Sequence, residues 1–211
     1  MSRNTALLVI DPLNDFMHPK GKLYPQLRES IEATNTVPNL KKLVDAARLF
    51  EVPVYYGLHQ PYSKGSYEGW NHMKASHRTI QEYQVFAEGS WGAEIHEGFE
   101  PVASNGDVVA TRHWNSSSFS NTDLDYQLQQ RDITHIVLAG LVTNTCIEST
   151  ARHAIELGYN VTLINDATAG FSQALKLAAT DLVWPTIVDG WKMHHASVFY
   201  GTDYFTMGNT I

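Results

Sequence analysis

Short apolar runs recur along this chain and are separated by longer segments of mixed polarity. The run at residues 6–10 is rich in β-prone side chains and is closed by Asp11 and Pro12, which predicts a buried strand. Similar runs predict further strands at residues 52–56, 107–110, 133–139, 161–164 and, near the end of the chain, 197–200.

Helical spacing of apolar residues marks several of the segments between these strands. From residue 37 to residue 50 the apolar positions fall on one face of a helix. Thr122, with Asp125 three residues later, has the spacing of a capping box, which predicts that a second helix begins there. A third helix is predicted over about residues 146–157. Residues 58–94 follow neither pattern and are predicted to form a long irregular segment.

The alternation of strands and helices predicts an α/β fold of three layers, in which helices cover both faces of a mostly parallel, six-stranded sheet. Since no repeat, linker or shift in composition divides the 211 residues, one domain over residues 1–211 is expected. In such folds ligands bind beyond the carboxyl ends of the strands. Asp11, Arg112 and the loop to Cys146 each follow a predicted strand, so we expect these side chains at one edge of the sheet.

Charge and composition narrow the class of function. The net charge is −7 and the basic residues are scattered, whereas a nucleic-acid-binding surface needs them gathered on one face. No apolar run approaches the roughly 20 residues of a membrane span, and the N-terminus lacks the apolar core of a signal peptide. A single cysteine excludes an internal disulfide and fits a reducing compartment. We therefore expect a cytoplasmic protein with a small-molecule substrate.

Cys146 lies where a predicted strand turns into a predicted helix. The free N–H groups and dipole at a helix start favour a thiolate and can hold a developing oxyanion, which suits a nucleophile. The alternative is a small buried side chain, but a strand-to-helix loop directs the thiol away from the core. Asp11 can supply the base that a thiol needs, or it can cap the turn before Pro12.

Three segments match one known family, in the family's order: VIDPLNDF near the start, TRHWNSSSFSNTDLD in the middle and GLVTNTCIESTARHAIELGYNVTLINDATAGFS near the end. They resemble the isochorismatase-like cysteine hydrolases, and the last segment is the most specific. The resemblance spans almost the whole chain. It implies a Rossmann-like topology, hydrolysis of a carbon–nitrogen bond in a small amide, ureide or lactam through a thioester, and a homodimer or homotetramer.

The resemblance also implies roles for individual residues. The family's triad of Asp, Lys and Cys falls on Asp11, Arg112 and Cys146. The family's cis peptide bond falls at Leu141–Val142. The implied oxyanion hole is then formed by the backbone N–H groups of Val142 and Cys146.

The lysine of the family triad is missing from this chain. Its position is occupied by Arg112, or by His113 if the match is shifted by one residue. Arginine is effectively always protonated and cannot shuttle a proton, so Arg112 can replace the lysine only as a charge. If proton donation is required, His113 is the better candidate.

No metal or other cofactor is expected. Metal-binding nicotinamidases of the family carry Asp-x-His after the second strand, whereas this chain has Gly57, Leu58 and His59 there. The spacing of His59, His72 and His77 matches no compact zinc site. Isochorismate is not the expected substrate, because members that cleave this vinyl ether generally lack the cysteine that this chain retains.

Aromatic residues are frequent in residues 58–94 and just beyond. Phe16, Trp70, His113 and Trp114 are candidate substrate contacts, since aromatic side chains can line a pocket for a flat substrate. The aromatic residues of the segment can equally pack it down or form a subunit interface. Two other functions remain open: a ligand-binding protein with an impaired triad, and a redox-sensing thiol whose partner is another molecule.

Overall fold

One parallel sheet runs through the centre of the structure, a computed structural model that describes residues 4–188 and 193–196. In chain order its strands are β1 (Thr5–Ile10), β2 (Val54–Gly57), β3 (Val108–Val109), β4 (His135–Leu141), β5 (Asn160–Ala169) and β6 (Met193–His194). Their spatial order is β3-β2-β1-β4-β5-β6, with two-residue strands at both edges. The strand predicted at residues 197–200 lies outside the described residues.

Helices cover both faces of this sheet. They are α1 (Asn14–Met17), α2 (Tyr24–Thr34), α3 (Thr36–Leu49), α4 (Ala75–Tyr83), α5 (Leu124–Gln129), α6 (Glu148–Glu156) and α7 (Gln173–Leu177). The apolar sides of α2 and α3 pack on one face, and those of α5 and α6 on the other. This arrangement confirms the predicted three-layer α/β fold. Within residues 4–188 and 193–196, no helix is long and apolar enough to cross a membrane.

Strand β1 illustrates why its sequence is a continuous apolar run. Leu7 and Val9 pack into the core beneath α2 and α3, whereas Leu8 and Ile10 pack into the core beneath α5 and α6. All four side chains are fully buried. A central parallel strand is covered on both faces, so it needs apolar side chains at every position.

Two segments depart from the predicted elements because they bury few apolar side chains. Residues 58–94 are not wholly irregular, since they contain α4 and a 3₁₀ turn at Trp91–Ala93. Helix α4 buries only His77 and Ile80, so no apolar stripe marks it in the sequence. The apolar pattern likewise does not predict α2, whose buried side chains are Leu27, Ser30 and Ile31.

The capping box predicted at Thr122 does not form. Helix α5 begins after Asp123, whose side chain makes no cap hydrogen bond. The Thr122 hydroxyl instead accepts the N–H of Leu124 at 3.3 Å and donates to the carbonyl of Ser118. A hydroxyl bonded locally in this way stabilises the turn before the helix.

A buried carboxylate ties α3 to the strand that leads to the predicted site. The side chain of Asp107 is fully buried and lies 3.1 Å from the Arg48 guanidinium. It also accepts the backbone N–H groups of Val54 at 3.0 Å and Val102 at 2.8 Å. We expect Asp107→Asn to lower the free energy of unfolding by about 2–3 kcal/mol. The NH₂ group of the asparagine would face N–H donors in place of an accepting oxygen, and Arg48 would lose its counter-charge.

Urea denaturation measures this loss, and the exposed pair of Lys41 and Asp45 provides the matched control. Asp45→Asn is expected to change the free energy of unfolding by less than about 0.5 kcal/mol, because a solvated pair one helical turn apart contributes little. Equal effects of the two substitutions would contradict a stabilising role for Asp107.

Candidate active site

The carboxyl ends of β1, β2 and β4 lie side by side, because β1 is hydrogen-bonded to both of its neighbours. Asp11 follows β1 directly, and its backbone N–H donates to the carbonyl of Gly57 at the end of β2, 2.9 Å away. Its φ is +48°, in the left-handed region that aspartate tolerates better than most residues. The side chain of Asp11 is completely buried at this edge of the sheet.

Cys146 lies in a π-helical turn, Thr143–Ile147, that joins β4 to α6. The peptide bond Leu141–Val142 before this turn is cis, at the position that the family resemblance implies. The Thr143 hydroxyl forms a buried hydrogen bond with the hydroxyl of Thr168 on β5, 2.9 Å away. The turn that carries the thiol is therefore attached to the neighbouring strand.

The Cys146 thiol faces the Asp11 carboxylate. Burial of the thiol and its contact with the negative charge of Asp11 raise the pKa of Cys146 well above its ordinary value. The backbone N–H of Val142 and the hydroxyl of Thr145, whose Oγ1 lies 3.9 Å from the sulfur, act in the opposite direction but do not prevail. The expectation of a stabilised thiolate is therefore wrong for the resting protein, in which the sulfur is a neutral thiol.

Asp11 remains ionised although it is buried. Burial works to raise the pKa of this carboxyl, but the positive charge of His113, 3.4 Å away, and the hydrogen bond from the backbone N–H of His59 outweigh burial, so the pKa lies below its usual value. Oδ1 accepts the backbone N–H of His59 at 2.6 Å. Oδ2 has no hydrogen-bond partner within the described part of the chain, so this oxygen is free to accept a proton.

Of the two candidates for the lysine position, His113 lies beside Asp11. The Nε2 atom of His113 is 3.4 Å from Oδ1 of Asp11, and both side chains are fully buried. Arg112 is half-buried, and its guanidinium donates to the backbone carbonyl of His59 at 3.0 Å. Among the described residues, the Arg112 guanidinium forms no ion pair with Asp11 within 4 Å.

His59 belongs to this cluster, although the sequence alone indicates only a loop histidine. Beyond β2 and β3 the chain continues as a parallel pair, in which Gln60 N–H donates to the His113 carbonyl and His113 N–H to the Leu58 carbonyl. This pairing places the His59 and His113 rings 5.3 Å apart. The signal that could have revealed His59 is its place two residues after the strand next to β1.

The predicted substrate contacts lie in two aromatic groups. Phe16 is buried and packs on Phe86, whose ring also contacts His59, with centroid distances of 5.0 Å and 5.4 Å. Trp70 is 39% exposed and packs on Trp114, with ring centroids 5.4 Å apart. Trp114 follows His113 directly in the chain.

The histidines of this cluster are not arranged as metal ligands. No group of three or more His, Cys, Asp or Glu side chains is placed to hold a metal ion within residues 4–188 and 193–196. Nδ1 of His59 faces the carbonyl of Gln60 at 2.8 Å, and Nδ1 of His113 faces the carbonyl of Asn115 at 2.5 Å. The histidines of the cluster are therefore engaged by backbone carbonyl groups.

Comparison with known proteins identifies the family. The isochorismatase domain model matches residues 5–186. Over 174 residues the chain is 32% identical to the ureidoacrylate amidohydrolase RutB of Agrobacterium fabrum, which covers 78% of this chain and 75% of that relative. A cysteine hydrolase from Pseudomonas syringae pv. phaseolicola superimposes with a TM-score of 0.78 at 26% identity, over 94% of this chain and 92% of that one.

A second solved structure is that of an amidase. The N-carbamoylsarcosine amidase from Thermoplasma acidophilum superimposes with a TM-score of 0.63 at 25% identity, over 92% of this chain and 96% of that one. The fold and these matches define this protein as a hydrolase with a three-layer α/β fold. The chain belongs to the isochorismatase family, as the sequence resemblance implied.

Proposed function

We propose that this protein is a cysteine-dependent hydrolase that cleaves a carbon–nitrogen bond in a small amide, ureide or lactam through a thioester. The observation that carries the proposal is the Cys146 thiol facing the buried Asp11 carboxylate at the carboxyl ends of adjacent strands β1 and β4. The names of its relatives, an amidohydrolase and an amidase among them, support the type of bond.

In the acylation step, Asp11 takes the thiol proton while the Cys146 sulfur attacks the substrate carbonyl carbon. The raised pKa of the thiol and the lowered pKa of the carboxyl make proton transfer unfavourable in the resting site, so transfer accompanies formation of the carbon–sulfur bond. The backbone N–H groups of Val142 and Cys146 hold the oxyanion. Asp11 then gives the proton to the leaving nitrogen, and the carbon–nitrogen bond breaks.

The second step regenerates the thiol. A water molecule gives a proton to Asp11 as its oxygen attacks the thioester carbonyl, and the same N–H groups hold the second oxyanion. Collapse of this intermediate breaks the carbon–sulfur bond and yields the carboxylic or carbamic acid. The sulfur of Cys146 recovers its proton from Asp11, so the protein ends as it began. In both steps a positive charge on His113 or Arg112 stabilises the ionised form of Asp11.

The aromatic groups beside the cluster favour a flat, uncharged substrate. The rings of Trp70 and Trp114 pack on each other, and Phe16 packs on Phe86, whose ring contacts that of His59. Aromatic walls with a few polar groups are typical of small-molecule sites. Small ureides and amides with a planar carbonyl group fit this chemistry.

A screen for ammonia release tests the proposal. The protein is incubated with a panel of small primary amides, ureides and lactams, and ammonia or amine is measured. We expect turnover of at least one ureide or amide, together with a thioester adduct in the intact mass of the protein during turnover. Absence of both turnover and adduct across the panel would count against the proposal.

A further inference from the structure

The buried pair of Asp11 and His113 determines which residue supplies the positive charge of the proposed mechanism. A lysine is absent there, and Arg112 and His113 are the two basic residues that the sequence match places at the lysine position. They differ in one physical respect: a guanidinium stays protonated at any physiological pH, whereas an imidazole titrates near neutrality. The protonation state of His113 therefore decides whether this residue can supply the positive charge.

The ring of His113 lies between two oxygen atoms, each of which can only accept a hydrogen. Nδ1 is 2.5 Å from the backbone carbonyl oxygen of Asn115, so this nitrogen must carry a proton. Nε2 is 3.4 Å from Oδ1 of Asp11 and has no hydrogen-bond partner within the described residues. An unprotonated Nε2 would direct its lone pair at a carboxylate in the protein interior, whereas a protonated Nε2 is attracted to it.

We propose that His113 is held as an imidazolium by the two oxygen acceptors that flank its ring, and that this imidazolium keeps the buried Asp11 ionised as the base for Cys146. The inference rests on the function proposed above and names the residue that replaces the lysine of the family. Arg112 is assigned a different task, because its guanidinium is hydrogen-bonded to the carbonyl of His59 at 3.0 Å.

The charges that surround His113 agree with this assignment. It is faced by Asp11 from the end of β1, by His59 from the segment after β2 and by Arg112 from its own segment. Burial and the charge of Arg112 lower the pKa of His113, but the charge of Asp11 and the hydrogen bond to the carbonyl of Asn115 prevail and raise it.

His59 provides an internal contrast to His113. Its Nδ1 donates to the carbonyl of Gln60 at 2.8 Å. Burial lowers the pKa of His59 even though the charge of Asp11 opposes this effect. The two histidines, with ring centroids 5.3 Å apart, are therefore expected in opposite protonation states at neutral pH.

This charge is removed by alkaline pH, unlike that of a lysine or an arginine. Because the folded pKa of His113 is raised, the imidazolium is complete below the ordinary histidine pKa and is lost as the pH rises through the raised value. Once it is lost, Asp11 stays ionised but has no counter-charge, so the negative charge that develops when the thiol attacks is no longer balanced by a nearby cation. Hydrolysis is therefore expected to decline at alkaline pH well below the range in which a lysine would titrate.

Nuclear magnetic resonance of the full chain with ¹⁵N-labelled histidine tests the protonation state without any substrate. At neutral pH we expect proton signals on both ring nitrogens of His113 and on only one nitrogen of His59. The spectrum of His113→Asn assigns the signals by subtraction. A single protonated nitrogen in His113 at neutral pH would overturn the inference, whatever the enzyme hydrolyses.

The pH dependence of kcat/KM tests the role in catalysis. His113→Asn is expected to lower kcat/KM by about 100-fold or more. His113→Lys is expected to stay within about tenfold of the original and to move the alkaline decline upward by more than about one pH unit. His135→Gln, at the opposite end of β4, is the control and should keep the original alkaline decline.

The outcomes separate the inference from the function on which it rests. If Cys146 is essential but His113→Lys keeps the original alkaline decline, the role of His113 is refuted and the cysteine mechanism stands. If Cys146 is dispensable, the cysteine mechanism fails, while the resonance spectrum still decides the charge of His113. A His113→Lys variant that does not fold leaves that spectrum as the deciding measurement.

Discussion

Cys146→Ala is expected to reduce hydrolysis by more than about 1000-fold, because the sequence has no other cysteine to form the thioester. The oxyanion-binding N–H groups and the Asp11 carboxylate remain in the variant, so residual activity reflects positioning alone. The initial rate of ammonia release on the substrate found by screening measures the loss. The intact mass during turnover should show the acyl adduct on the original protein and none on the variant.

Thermal unfolding provides the control for this experiment. Cys146 is small, so its replacement by alanine should leave a folded protein with a similar circular dichroism spectrum. If the folded variant retained more than about one tenth of the original turnover, or if the adduct mapped to another residue, Cys146 would not be the nucleophile.

Gly140→Ala is expected to have the largest effect on folding. Gly140 lies on β4 opposite Ile10 of β1, with φ +116°. A Cβ atom at this position would lie 2.2 Å from the carbonyl oxygen of Ile10 and 2.7 Å from its nitrogen. The clash is with backbone, so β4 would have to move away from β1. We expect a loss of about 3–5 kcal/mol in the free energy of unfolding, measured by urea denaturation, or insoluble protein.

Gly158→Ala separates this contact from backbone strain. Gly158 also has a positive φ, +94°, but a Cβ atom there would meet nothing within 4 Å. Its replacement should cost only about 1 kcal/mol, the cost of a side chain in the left-handed region. Equal losses in the two variants would mean that the approach of β4 to β1 does not depend on Gly140.

The sequence predicts best the elements that bury many apolar side chains. Strand β1 and helix α3 are marked by a continuous apolar run and by one apolar face, and the structure has both within a few residues of the predicted bounds. Strand β5 extends to Ala169, well beyond the predicted end at residue 164. The extension begins with the half-buried polar residues Asn165 and Asp166, where the pairing with β4 is irregular, and they hide the buried end of the strand at residues 167–169.

The convergence of Asp11 and Cys146 could be predicted because the carboxyl ends of neighbouring parallel strands share one edge. The choice between Arg112 and His113 could not, because adjacent residues of an extended segment point in opposite directions and a shift of one residue exchanges them. Only the pairing of the His113 segment with the segment after β2 settles which side chain faces Asp11. The raised pKa of the Cys146 thiol could not be predicted either, since it depends on the burial of the sulfur beside Asp11.

The neutral sulfur of Cys146 bears on how the enzyme can be inhibited. Iodoacetamide and peroxide react with thiolates, and in the resting site they meet a protonated sulfur beside a negative charge. A carbonyl electrophile shaped like the substrate differs, because it brings an oxygen that the backbone N–H groups can hold while Asp11 removes the proton. Covalent inhibitors selective for this site should therefore be aldehydes or activated ureas of substrate size, and general alkylating agents should label it slowly.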